Sequence, residues 1–261
     1  MLRTLASLFP LATLALPAQV VRYAPGEYRY TVVITRKQSD ERGGAKQDYT
    51  VTARQTLALL LAPRGADSLR MRLTLVSYTL SSDLPVQLPP VERMNGTVVE
   101  GVMTVAGRVV HYSRHSPDSS SVEVDALAEN MSRFLLWVTP GGTIGKPVVD
   151  TTSSRQSEGG NDITERTVTT TTIEGDTVFG GKKAWRIRRD TEVEVAGVQM
   201  QQGNAMQLAG GGTGTGYFYV STTGVYLGST ARSTTTTTLK LPDNTSIASA
   251  LDATSTVTLA P

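Results

Sequence analysis

Tyr28-Arg29-Tyr30-Thr31-Val32-Val33-Ile34-Thr35 is the stretch on which the fold turns. Tyr28, Tyr30, Val32 and Ile34 occupy every second position, with Arg29, Thr31, Val33 and Thr35 between them. Successive side chains of a strand point to opposite faces, so this spacing predicts a strand with one buried side. The pattern recurs downstream. Tyr49, Val51, Ala53, Gln55, Leu57, Leu59 and Leu61 make one face of a long strand ended by Pro63, and Leu69, Met71, Leu73 and Leu75 alternate with Arg70, Arg72, Thr74 and Val76. Asp40 to Ala45 and Arg64 to Asp67 are Gly-containing polar turns, short enough to join antiparallel neighbours. Ala106-Gly107, between Val102–Val105 and Arg108–Tyr112, suits a two-residue hairpin because Gly tolerates positive φ. Residues 27–114 therefore read as one antiparallel meander with a Pro-rich loop at Leu84 to Val91.

A helix follows. Ser120 and Glu123 have capping-box spacing, in which each side chain satisfies an otherwise unpaired N–H of the first turn. Val124, Leu127, Ala128, Met131, Phe134, Leu135 and Val138 then recur at three- and four-residue intervals, and Pro140-Gly141-Gly142 stops the run. The spacing predicts a helix over 121–138 with one apolar stripe. The stripe either covers the open face of the sheet as ordinary core or forms a lid over a ligand cavity.

Beyond Thr151 the composition shifts toward threonine and glycine. Ser153 to Asp162 reads as a polar loop and Val198 to Leu208 as a short helix or a loop. Strands resume at Ile163–Ile173 and Lys183–Val195, and continue through Tyr217–Val220, Val225–Thr230, Arg232–Leu241 and Thr254–Leu259. Threonine is β-branched and favours the pleated backbone, and Val168, Trp185, Ile187, Val193 and Val195 are spaced as a strand requires. Residues 163–260 thus form a second meander, and 19–261 a single mainly β domain of two meanders joined by the helix.

Arg3, the apolar run Leu5 to Leu16 and the small-residue exit Ala15-Leu16-Pro17-Ala18 read as a signal peptide over 1–18. The run is shorter than the ~20 residues a spanning helix needs. No later segment is apolar enough to cross a membrane, so the mature chain is expected outside the cytoplasm, periplasmic or secreted from a bacterium, without an integral membrane segment. The 261 residues include no cysteine, which removes disulfide and thiol chemistry, and a chain of this length buries enough apolar surface without cross-links. Net charge is +2, and +1 once Arg3 leaves with the leader. Arg186, Arg188 and Arg189, the tightest basic cluster, read as one solvated strand surface, too little for a nucleic-acid footprint.

No catalytic constellation emerges, and an enzyme is not expected. His111 and His115, the only histidines, sit on a strand running out toward Ser116-Pro117 with no Cys beside them, so no metal site is expected. No Gly-x-Ser-x-Gly elbow presents a nucleophile. Glu192 and Glu194 share a strand face with Arg186, Arg188 and Asp190, as a charge-paired surface would. Gly210 to Gly216 leads into the strand Tyr217-Phe218-Tyr219-Val220 instead of a helix, which excludes a phosphate-binding loop and leaves close backbone approach or a bulge. No cofactor is expected. Trp185, Tyr217 and Tyr219 either line a pocket or pack in the core.

Several short motifs, taken in order, resemble a known family. Tyr28-x-Tyr30 comes first, then Gly101-x-Met103-x-Val105-x-x-Gly107-x-Val109 and the helix end Pro140-x-Gly142. Gly181-x-x-Ala184-x-x-Ile187 and Gly212-x-Gly214-x-Gly216-x-Phe218 with Gly224 follow. Together they are similar to an uncharacterised family of bacterial exported proteins, a domain of unknown function, which resembles more distantly the half-barrels of lipoprotein-localisation factors. The resemblance implies a curved antiparallel sheet, a half-barrel, with one α-helix over its concave face. Such a cleft removes an acyl chain from water at ~25 cal/mol per Å². The implied function is a non-catalytic binding protein that carries or senses a lipid or a lipidated protein. Its candidate cleft residues are Leu57, Leu59, Leu73, Leu75, Leu127, Met131, Phe134 and Leu135. A carrier predicts a cavity larger than its own side chains fill. The alternative, a structural or protein-interaction module of the cell envelope, predicts a filled core and an apolar edge or patch.

Overall fold

A computed structural model describes residues 21–84, 88, 90–117, 122–138, 142–157, 160–201, 204–243 and 245–261. The predicted leader, the Ser120 cap and Pro140-Gly141 lie outside the described residues. The strands are β1 (Gly26–Arg42), β2 (Ala45–Pro63), β3 (Ser68–Ser82), β4 (Val98–Thr104) and β5 (Val109–His115), then, after helix α1 (Val122–Ser132), β6 (Val148–Gln156), β7 (Asp162–Phe179), β8 (Lys182–Gln201), β9 (Asn204–Ser221), β10 (Tyr226–Lys240) and β11 (Ser246–Leu259). They form one antiparallel sheet in the order β5-β4-β3-β2-β1-β11-β10-β9-β8-β7-β6.

That order is the cyclic order of an up-and-down barrel cut at one place. Consecutive strands pair from β1 to β5 and from β6 to β11, and β1 joins the two meanders by pairing with β11 from Tyr30↔Leu259 to Arg42↔Ile247. The one consecutive pair left unbonded is β5 and β6, the two strands that flank α1 in the chain. The sheet is therefore curved but open, with its seam where the helical connection crosses. Two unpaired edges result, each a row of backbone donors and acceptors.

The core lies at one end of the strands. Tyr30, Leu57, Leu59, Leu73, Leu75, Ile187, Val220 and Tyr226 are all nearly inaccessible, and Val124, Leu127, Ala128 and Met131 of α1 pack into the same cluster. Tyr30, Phe134 and Tyr226 form an aromatic triangle with centroids 5.1, 5.5 and 5.6 Å apart. The phenol of Tyr30 donates to Tyr226 O at 2.9 Å, and that of Tyr226 to Ser229 Oγ at 2.7 Å, so neither buried hydroxyl is left without a partner. The segment before β1 ties off this end. Tyr23 N–H donates to Val105 O at 2.7 Å, its phenol to Leu136 O at 2.9 Å, and Ala24 N–H to Gly224 O at 2.9 Å.

Four local expectations are corrected. The helix stops at Ser132 and does not run to 138. Ser132 Oγ donates to Glu129 O at 2.7 Å within the last turn, and Val138 N–H donates to Ala106 O at 2.9 Å, which draws the following segment against the β4–β5 hairpin. Phe134, Leu135 and Val138 thus reach the core from an irregular chain. Ser153 to Gln156, read as loop, belongs to β6, paired with Ile163–Arg166, so the second meander begins at Val148. Val198 to Gln201 and Asn204 to Leu208 extend β8 and β9 as a hairpin. Gly107 takes the positive φ (+95°) that the hairpin needs, but the loop is residues 105–107, one longer than the two-residue turn read from the sequence, with Gly107 N–H on Thr104 O at 2.9 Å and Thr104 N–H on Arg108 O at 2.8 Å.

Candidate functional site

The eight apolar residues that the sequence singled out come together. Leu57, Leu59, Leu73, Leu75, Leu127, Met131 and Leu135 are buried, and Phe134 is packed against them. They fill the closed end of the curved sheet, facing one another across β2, β3, α1 and the segment after it. The open space begins where they end.

The strands outrun this core. Register places Ile34 beside Ala53 and Ser255, Ala253 beside Ser233, and Gly214 beside Ser233 and Thr191, all on the concave side. Along β9, inward positions 210, 212, 214 and 216 are all glycine, so one strand of this face carries no side chains over four inward positions. Ala231 and Ser233 of β10 and Ala253 and Ser255 of β11 are small as well. A groove of about 380 Å³ results, with Ile34, Val193 and Phe218 as its larger apolar walls. Volumes of about 300–1,000 Å³ are typical of small-molecule sites. The inner end of the groove abuts the core, because Phe218 touches both.

A second cavity, of about 720 Å³, opens across the seam. Val109, Val110 and Tyr112 of β5 line one wall, and Asp150, Thr152 and Ser154 of β6 the other. Trp137 stands at its mouth with the Arg108 guanidinium 5.6 Å from the ring centroid. His111 also lines this cavity. Among the described residues no three His, Cys, Asp or Glu side chains gather as metal ligands.

Arg189 lines both cavities, which corrects its assignment to a solvated surface. Strand parity separates it from its neighbours. Arg186, Arg188, Glu192 and Glu194 point outward, where Arg188 pairs with Asp190 at 2.9 Å and Glu194 with Arg166 at 3.3 Å. Arg189 falls on the inward face with Trp185, Ile187 and Val193. Its Nε is buried without a hydrogen-bond partner, and burial, reinforced by the nearby Arg133 and opposed by Asp150, pushes its pKa below the usual arginine range. Of the two readings left open for Trp185, Tyr217 and Tyr219, a shared pocket does not form. Tyr217 and Tyr219 lie on the outer face, under Arg186 at 5.5 Å and stacked on Phe179 at 4.0 Å, while Trp185 packs on the core.

A polar cluster marks the far end of the concave face. Asp40 accepts from Gln38 Nε2 at 3.0 Å, from Ser249 Oγ at 2.6 Å and from the Tyr49 phenol at 3.4 Å. Desolvation works against ionisation there, but these bonds outweigh it and hold the carboxyl below its ordinary pKa.

No protein-family model matches the chain, and no curated protein is similar to it at the sequence level. Among solved structures, the chain is similar to a DUF1329 family protein from Desulfovibrio piger, at 10% identity and a TM-score of 0.18, over 88% of this chain and 84% of that one. It is also similar to a domain from Vibrio parahaemolyticus assigned to outer membrane lipoprotein sorting, at 8% identity and a TM-score of 0.18, over 88% and 83% of the two chains. At such scores neither likeness carries a function to this chain.

Proposed function

We propose that this chain is a non-catalytic extracytoplasmic binding protein that holds a hydrophobic ligand, a lipid or the lipid part of a lipidated protein, on the concave face of its sheet. The observation that carries this reading is the groove beyond the core. The leucines of the core do not continue along the strands. Here four inward glycines and a run of Ala and Ser leave apolar-walled space instead. Each methylene moved from water into such a groove contributes about 0.8 kcal/mol. None of the eight residues named from the sequence lines this groove; they pack as core behind Phe218, which touches both. The leader-like sequence at residues 1–18 supplies the route out of the cytoplasm.

Native mass spectrometry of the mature protein from its own envelope, followed by solvent extraction, tests the proposal. The expected result is a stoichiometric added mass that extracts as lipid, absent from Ala253→Phe, whose ring would fill the groove. A clean apo mass under gentle conditions, with no gain on incubation with lipid micelles, would sink it.

One observation favours a second reading, an envelope protein-interaction module. The seam exposes Val110 (63%), Tyr112 (42%), Trp137 (36%) and Val149 (62%) beside the two unpaired edges. An extended segment of a partner could add to either edge. Co-purification of a protein at fixed stoichiometry, lost on Val110→Lys but kept in Ala253→Phe, would shift the weight to it.

A further inference from the structure

We propose that Arg189 is the recognition site for an anionic head group, so that the ligand of the concave face is an amphiphile carrying a carboxylate or phosphate. This rests on the proposed hydrophobic-ligand reading and adds to it the chemistry of the polar end. The juxtaposition that points there is positional. Arg189 stands where the apolar groove and the seam cavity meet, so a tail lying along Gly212, Gly214 and Phe218 places its head at the guanidinium. The groups facing that point are Arg133 from the segment after α1, Asp150 from β6, and Thr191 and Thr169 from β8 and β7.

Among the described residues no carboxylate forms an ion pair with this cation, and Asp150 faces it without bonding to it. Arg166, Arg186 and Arg188 on the outer face each hold a carboxylate, and Arg133 is bound to Glu129 at 2.6 Å. Arg189 has no ion pair among the described residues, and its Nε has lost water without gaining an acceptor. A half-buried, unpaired guanidinium is unfavourable in the free protein. Its planar fork of donors matches the oxygens of a carboxylate or phosphate. An incoming anion would satisfy donors already desolvated, whereas a neutral alcohol head would leave the charge unmet. A structural role, such as tying β8 to β6, would instead require a bond to Asp150 that is not made.

The test compares ligands of one chain length on the full mature protein, by calorimetry and by the emission of Trp137, which borders the seam cavity. Dodecanoate and dodecyl phosphate should bind roughly ten- to hundredfold more tightly than 1-dodecanol, the discrimination expected of a charged hydrogen bond. Arg189→Gln should bring all three to the affinity of the alcohol, and Arg189→Lys should keep part of the difference. Arg189→Gln should also match or exceed the wild type in Tm. Equal binding of the alcohol and the acids to the wild type, with tail binding intact, would overturn the head-group site and leave the hydrophobic carrier standing. Binding of none of the three would overturn both. Inorganic phosphate competing as well as dodecyl phosphate would show a free-anion site and overturn the amphiphile. A lowered Tm in Arg189→Gln with unchanged ligand preference would make Arg189 structural.

Discussion

Two glycines on β9, both on the concave side and two residues apart, should respond to the same substitution with opposite signs. A methyl at Gly212 would collide with Thr234 O and lie 2.7 Å from Thr235 Oγ1 and 2.9 Å from Thr235 Cα, so the obstacle is largely the backbone of β10. At Gly214 the nearest atoms are Ser233 Cβ at 3.3 Å and Arg232 O at 3.4 Å, which a few tenths of an ångström of relaxation accommodates. Both variants gain the ~0.5–1 kcal/mol by which Ala in a strand interior is favoured over Gly. Gly212→Ala must in addition spread two paired strands, an overpacking cost of ~1–3 kcal/mol. The net expectation is a loss of about 0.5–2 kcal/mol for Gly212→Ala and a change between zero and a gain of about 1 kcal/mol for Gly214→Ala. Urea unfolding with a shared m-value reads the difference as a separation of midpoints of roughly 0.5–1 M. Gly214→Ala also narrows the groove, so it should weaken ligand uptake while the fold holds. Equal stabilities for the two variants would refute the claim that close approach of β9 and β10 dictates glycine here.

Further outcomes follow from the closed end. Leu73→Ala, at a side chain with 0% exposure, should cost about 2–5 kcal/mol by thermal or urea unfolding, with the cavity left behind setting the value. Burial raises the pKa of the Tyr23, Tyr30 and Tyr226 phenols above the ordinary tyrosine value. The stability they contribute is therefore complete below about pH 10, the unfolded value, and is lost above it at up to ~1.4 kcal/mol per pH unit for each phenol. Tyr226→Phe should flatten that alkaline limb by about one phenol's slope, measured as urea midpoint against pH from 8 to about 11. Arg108→Ala should shift Trp137 fluorescence while changing stability by less than about 1 kcal/mol, because the cation–π contact is exposed.

Alternation made the sheet legible, and it did so because each strand has one wet and one packed face over much of its length. The pairing of β1 with β11 was not legible. Nothing local in Thr31 or Val257 names a partner more than two hundred positions away, and closure of the sheet is settled only by how the twisted meanders meet. The helix end was misplaced for a related reason. Phe134, Leu135 and Val138 continue the apolar rhythm of Leu127 and Met131, and rhythm alone does not distinguish a turn of helix from an irregular segment pinned at the same depth. Arg189 was available to a stricter reading. Counting by twos from Trp185 through Ile187 and Val193 places it on the apolar side, opposite Arg186 and Arg188. Grouping three arginines by proximity in the chain hid a difference of face that strand geometry imposes.

The same parity explains how one chain divides its surface between two solvents. On β8 the outward series Arg186, Arg188, Asp190, Glu192 and Glu194 alternates with the inward series Trp185, Ile187, Arg189, Thr191, Val193 and Val195. The outward side pairs charges with β7 through Arg186–Glu174 and Glu194–Arg166. The inward side moves from large apolar groups at the closed end, through one unpaired cation, to β-branched groups opposite glycines. A face built only for stability would bury that cation with a carboxylate or replace it with a leucine. Retaining a desolvated guanidinium beside empty, apolar-walled space makes physical sense where something arrives to complete it. A ligand with an apolar tail and an anionic head meets both demands at once, the tail through the area it removes from water and the head through donors that water has already left.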